Sequence, residues 1–450
     1  MYRERQSRFE RLSAGLLLGF FLVAVALTFW SIVRSQTLTT RGDNPRRVEE
    51  ELRIRRGRIL DTDGAILAET VGPEEAPQRV YPIPGIGPAV GYYSFRYGTA
   101  GVEQGYDAVL RGEGDDFWPA FWRRFIHQTQ HGRDIRLTLD ADWQRTADAL
   151  LGQRNGSLVL LTLPDGAIRA MVSHPAYDPN RLAEQFETLA ADADAPLLNR
   201  ATQGQYQPGL VLQPFILAAA VERELVSLEE VAPEATRPVV VRDQVRTCTT
   251  APAEPATWAA VLQAGCPRPV QTLADELARA DLREILRAFG FLEQPAVPLN
   301  TADVPQDPVT DLQEDLIGQG DLAVTPLQVA LAWAALGNGG MLPDPQLVSA
   351  EQGADGTWQA APTPEPGAET AVSQVASTAV LGALPTHQGA VREMATLVLA
   401  GPERTDAWYL ALAPAGAPRY ALVVVVEETA DPFSAQQAGR ALLNFILERS

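Results

Sequence analysis

Lysine is missing from this chain of 450 residues, and all 37 basic side chains are arginines. Any chemistry that needs a lysine amine as base, nucleophile or Schiff-base partner is therefore excluded. Histidine numbers 4 and cysteine 2. His127, His131 and His387 are not joined by a Cys or His cluster at metal spacing, and no cofactor signature appears, so neither metal nor cofactor is expected. A basic face is lacking as well: the net charge is −19 and no arginine-rich stripe offsets it, which argues against a nucleic-acid surface. What is present is ordinary for a globular protein, 46% apolar and 21% charged, with enough length for two or three domains.

The stretch from Ala14 to Val33 carries no charge and, at about 1.5 Å per residue, spans roughly 30 Å of hydrocarbon. It predicts one membrane helix. The small-residue site Ala24-Val25-Ala26 lies inside the apolar run rather than after it, so an uncleaved anchor is favoured over a signal peptide. Arg3, Arg5, Arg8 and Arg11 are matched by Arg34, Arg41, Arg46 and Arg47, so charge alone does not orient the helix. The short tail at 1–13 is the more easily retained in the cytoplasm. A single-pass protein of the cell membrane with extracytoplasmic C-terminal domains is expected, where Cys248 and Cys266 can oxidise.

Beyond the anchor, Asp61-Thr62-Asp63-Gly64 sits between apolar pieces and predicts a β-hairpin. Residues 40–130, rich in glycine and aromatics, read as one small non-catalytic pedestal domain. From 131 onward the pattern changes to a strand followed by an amphipathic helix, and 131–450 reads as a second domain. Residues 157–173 form a hairpin around Pro164-Asp165-Gly166, and 395–400, 407–414 and 420–428 supply three more strands. The last is apolar enough to lie between two covered faces. Helical patterns fall at 210–222, 272–290, 325–340 and 435–449, so the fold class is α+β, an antiparallel sheet with helices on its faces.

Several collinear stretches resemble the class B penicillin-binding proteins, membrane-anchored transpeptidases that cross-link peptidoglycan. They are Asn44-Pro45-Arg46, Arg56-Gly57-Arg58-Ile59-Leu60-Asp61, GYYSFRYGTAGVEQGYDAVLRG, LTLDADWQ, HPAYDPN, LLNRATQGQYQPG, GQGDLAVTPLQVA and AWYLALAP. The resemblance implies a transmembrane helix, a β-rich pedestal like that family's dimerisation domain, and a transpeptidase-like domain with a five-stranded sheet. It also implies a disulfide between Cys248 and Cys266, since many relatives carry a cysteine pair there.

Catalysis in that family uses Ser-x-x-Lys, Ser-x-Asn and Lys-Thr/Ser-Gly. The first pair belongs directly after Pro208-Gly209, and here it reads Leu210 and Gln213. Neither side chain is a nucleophile or a base near neutral pH. Around Cys266 the second element reads Gly265 and Pro267. The third, expected after 395–400, reads Gly401-Pro402-Glu403-Arg404: Pro402 cannot pair with a substrate strand and Glu403 repels a carboxylate. These departures predict a protein that is not an enzyme, a pseudoenzyme serving as scaffold or regulator in cell-wall synthesis. Alternatives are a muropeptide-binding module, with Arg404 holding a carboxylate in the groove, or a peptidoglycan D,D-transpeptidase with an unconventional site. Expected partners are the membrane, peptidoglycan, and a polytopic glycan polymerase of the shape, elongation and division type. Ser173-His174 is expected to be structural, and Gly318-Gln319-Gly320 a packing turn.

Overall fold

The computed structural model describes residues 2–29, 54–73, 76–113, 130–241, 243–361, 369–401 and 404–449. Its first element is the helix Tyr2–Thr28, on which the side chains from 13 to 26, including Leu16, Phe20, Phe21 and Val23, are exposed. This helix begins and ends earlier than the span predicted at Ala14–Val33, whose residues 30–33 lie outside the described residues. Among the described residues no helix is long and apolar enough to cross a membrane.

Two sheets of six strands follow. The first runs in the order Trp358–Ala360, Val348–Gln352, Ile135–Leu137, Ile59–Leu60, Ile66–Val71, Gln78–Val80. Its hairpin turns where the sequence predicts: Leu60 faces Ile66, and the Asp61 carboxylate accepts the backbone N–H groups of Asp63 and Ala65. Gly64, at φ 91°, takes the left-handed position that such a turn demands. The sheet does not stop near residue 130. Ile135–Leu137 runs parallel beside Ile59–Leu60, and Val348–Gln352 pairs with its other edge, so strands distant in sequence complete the pedestal's sheet. Asn44-Pro45-Arg46 and the Trp- and Phe-rich stretch at 117–125 lie outside the described residues.

The second sheet is antiparallel throughout, in the order Thr386–His387, Val391–Leu399, Thr405–Ala413, Tyr420–Val426, Gly156–Thr162, Ile168–His174. It has the five long strands expected, plus a two-residue edge piece. Every residue of Tyr420–Val426 is buried, as its valine run requires of a strand covered on both faces. On one face Ala147 and Leu151 of the helix Ala141–Leu151 and Leu442, Leu443 and Ile446 of Ser434–Leu447 meet Leu160, Tyr409 and Leu422. On the other, Gln213–Glu222 and Pro326–Gly337 pack over Val159, Leu410 and Val423. The sequence marks these helix starts. Asp140 accepts the N–H groups of Asp142 and Trp143, while Thr325 and Gln328 form a capping box with Pro326 in the first turn.

Candidate functional site

The entrance at 205–215 folds as a bridge, a turn and a helix. Tyr206 exchanges both backbone hydrogen bonds with Val324 at 2.9 Å, a 3-10 turn spans Gly209–Leu212, and the helix Gln213–Glu222 follows with Pro214 in its first turn. Gly209 has φ 52° and donates its N–H to the Gly318 carbonyl at 2.9 Å. A Cβ on Gly318 would stand 2.4 Å from the Gly209 oxygen and 2.6 Å from its nitrogen, so Gly318-Gln319-Gly320 is a turn that backbone presses against. Asp315 fills the space beside Gly320, and burial pushes its carboxyl up to about 6.

Two of the predicted elements converge on this turn. Gln213 is buried and donates its Nε2 to the Cys266 carbonyl at 3.4 Å, while its Oε1 has no partner among the described residues. Leu210 is half-buried against the core, its Cδ1 3.8 Å from where a Gly265 Cβ would stand. Gly265 caps the helix Trp258–Ala264 at φ 59°, a left-handed position that disfavours the serine of the family motif. Pro267 opens the helix Pro267–Thr272, where its missing N–H costs nothing. Cys248 and Cys266 are joined as a disulfide, which fixes this loop beside Gln213.

The third element is placed differently. Pro402 and Glu403 lie outside the described residues. Arg404 donates Nη1 to Glu428 at 2.8 Å in an exposed ion pair. What meets the turn is the preceding strand: the Val398 side chain lies 2.7 Å from where a Gly209 Cβ would be. Thr386–His387 pairs only with Val391 and Arg392. Beyond them the outer edge of Val391–Leu399 has no strand partner among the described residues.

Sequence reasoning missed the polar supports behind this wall. Arg200 reaches Glu427 through Nε at 2.7 Å, and the Tyr206 hydroxyl donates to the same carboxylate at 2.7 Å while its ring meets Trp408 edge-on at 5.6 Å. Burial, then Glu427, pushes the Tyr206 phenol far above its ordinary range. The signal for these residues was a charge or phenol inside the stretch LLNRATQGQYQPG, but the partner lies more than two hundred positions away. Ser173 and His174 diverge as a structural reading requires. Ser173 donates to the Leu198 carbonyl at 3.0 Å, and His174 Nε2 meets Asp148 at 2.7 Å.

The turn that launches Gln213–Glu222 lies beneath Val398 of an antiparallel strand, and known proteins share this chain's fold. The penicillin binding protein transpeptidase domain matches residues 156–448, and the penicillin binding protein A dimerisation domain matches 56–135. The chain belongs to the class B penicillin-binding proteins. It is similar to the peptidoglycan D,D-transpeptidase PbpA of Mycolicibacterium smegmatis, 30% identical over 95% of this chain and 94% of that protein. PbpA of Mycobacterium tuberculosis is 29% identical over 98% of each. Among solved structures, penicillin-binding protein A from M. tuberculosis in its imipenem acyl-enzyme complex superposes with a TM-score of 0.79 at 27% identity, covering 89% of this chain and 100% of that one.

These relatives correct one expectation. The three altered motifs predicted a protein that is not an enzyme, whereas the relatives matched across nearly the whole chain are D,D-transpeptidases, so this penicillin-binding protein sits within an enzyme family. The prediction rested on the motif letters alone, and their loss does not by itself show a member of an enzyme family to be inactive.

Proposed function

We propose that this penicillin-binding protein serves peptidoglycan synthesis at the membrane as a scaffold or regulator that holds a polytopic glycan polymerase. One contrast supports the reading. Leu210 and Gln213, where the family's first catalytic pair belongs, pack and hydrogen-bond internally, while the described part of the pedestal forms a paired sheet. The contiguous exposed apolar side chains from Leu16 to Val25 supply a surface suited to lipid or to another membrane helix, with the C-terminal domains outside the cell membrane. Retention of a glycan polymerase on the chain extracted in mild detergent is the direct test, and its absence defeats the scaffold role.

A second reading is favoured by the relatives' activity: D,D-transpeptidation from an unconventional site. An exchange assay with a pentapeptide muropeptide and a labelled D-amino acid separates the two. Turnover that survives Leu210→Ala and Gln213→Ala supports the second reading. Binding of the muropeptide without turnover supports a docking role for the groove.

A further inference from the structure

One short helix touches the pedestal at its cap and the supports of the turn at its first residue. The helix Arg200–Gln203 is capped by Asn199, whose Oδ1 accepts the Ala201 N–H at 3.1 Å. The same side chain donates its Nδ2 to the Pro88 carbonyl at 2.8 Å. Pro88 belongs to the pedestal's helical turns Pro84–Ile86 and Gly87–Val90. The next residue, Arg200, donates its N–H to the Ser173 hydroxyl at 2.9 Å and its Nε to Glu427 at 2.7 Å, just past the strand Tyr420–Val426. Glu427 in turn accepts the hydroxyl of Tyr206, whose backbone pairs with Val324 just before Gly209. Gly204 leaves no slack between them: a Cβ there would stand 2.7 Å from the Arg200 oxygen and 2.6 Å from the Tyr206 ring. Asn199 and Arg200 are both buried, so a bond lost from either is not readily replaced by water.

We infer that Asn199 and Arg200 form a relay that ties the pedestal's helical turns at 84–90 to the turn carrying Leu210 and Gln213, so that loosening one loosens the other. Coupling between distant sites travels through packed and hydrogen-bonded groups, and the path here is continuous: Pro88, Asn199, Arg200, Glu427, Tyr206. A second set of bonds docks the pedestal without joining this path. Asn180 brackets Tyr81, accepting its N–H and donating to its carbonyl, both at 2.9 Å, and the Tyr177 hydroxyl donates to the Gly87 carbonyl at 3.1 Å. Those residues hold the pedestal in place, whereas Asn199 both holds it and shares a backbone with the group that braces Tyr206. A protein bound to the pedestal thereby acquires a handle on the turn at 209–213. The relay does not depend on either functional reading of the groove.

Hydrogen–deuterium exchange on the full chain in mild detergent tests it. Asn199→Ser keeps an oxygen to cap the helix but is too short to reach Pro88. Exchange in peptides covering 204–212 and 420–428 should rise by roughly fivefold or more, the size of an ordinary coupling between sites. Glu427→Gln removes the charge that holds Arg200 and should raise exchange at 84–91 in return, and in the double variant the two factors should not multiply. Asn180→Ala is the control, loosening 78–83 and leaving 204–212 unchanged. Should Asn199→Ser fail to fold, the native chain in mild urea provides the second arm, where the amides of 84–91 and 204–212 should open with one shared urea dependence. Unchanged exchange at 204–212 in Asn199→Ser, unchanged exchange at 84–91 in Glu427→Gln, loosening of 204–212 by Asn180→Ala, or separate urea dependences overturns the proposal.

Discussion

Glu103 is wholly buried and keeps its charge between two arginines. Arg56 donates Nε to one oxygen at 2.9 Å, Arg79 donates Nε to the other at 2.6 Å, and the Tyr81 hydroxyl adds a contact at 3.1 Å. Burial pushes the carboxyl up, but Arg79 and Arg56 outweigh it and leave it below the ordinary range. Removing one member of such a cluster strands the others in low dielectric. Glu103→Gln should therefore destabilise the pedestal by about 3–5 kcal/mol, read as an earlier urea transition of the 54–113 region. Gly318→Ala is the matching change at the groove. Its Cβ would enter the Gly209 backbone at φ 63°, and a cost above about 1 kcal/mol is expected from thermal unfolding. Both residues lie inside stretches legible as family markers, and the packing turn at Gly318 was legible, but the partners of neither residue were. Arg56 and Glu103 meet across 47 positions and Gly318 and Gly209 across the core, and periodicity carries no information about pairs so far apart.

Elements were read more successfully than contacts, because an element is written locally. The hairpins at Asp61–Gly64 and Pro164–Gly166, the valine-rich strand Tyr420–Val426 and the helices Pro326–Gly337 and Ser434–Leu447 fall where turn residues, alternation and caps place them. The first sheet was only half legible. Ile135–Leu137 and Val348–Gln352 are short, and what makes them its strands is the edge offered by Ile59–Leu60. The third motif was sought at Gly401-Pro402-Glu403-Arg404, of which Pro402 and Glu403 lie outside the described residues, and the strand that lies on the turn is the preceding Val391–Leu399. The loop that carries Gly265 depends on the disulfide, which closes a separation of 18 residues. Replacing both Cys248 and Cys266 with serine should cost about 3 kcal/mol in urea unfolding, from the unfolded-chain entropy of that loop. Protection of the Thr249 and Thr250 amides, which donate to Gly265 and Ala264, should fall with it.

At the scale of the whole molecule, the turn that carries Leu210 and Gln213 belongs to a domain whose Ile135–Leu137 and Val348–Gln352 complete the sheet of a pedestal braced by buried ion pairs, with an exposed apolar helix at the N-terminal side. The family and the α+β architecture were legible because eight stretches kept their order. Activity was not, since it depends on the groove as a whole rather than on motif letters. If the molecule acts as a scaffold, the parts that bind a polymerase are the helix within 2–28 and the pedestal, and the groove is dispensable for that binding. The decisive measurement is quantitative co-purification of a polytopic glycan polymerase from native membranes in mild detergent. The intact chain is compared with one whose helix and pedestal are replaced by an unrelated anchor and spacer, and with Leu210→Ala. The account predicts stoichiometric retention by the intact chain and by Leu210→Ala, and loss when helix and pedestal are exchanged. Retention that survives the exchange, or no polymerase on the intact chain, contradicts it.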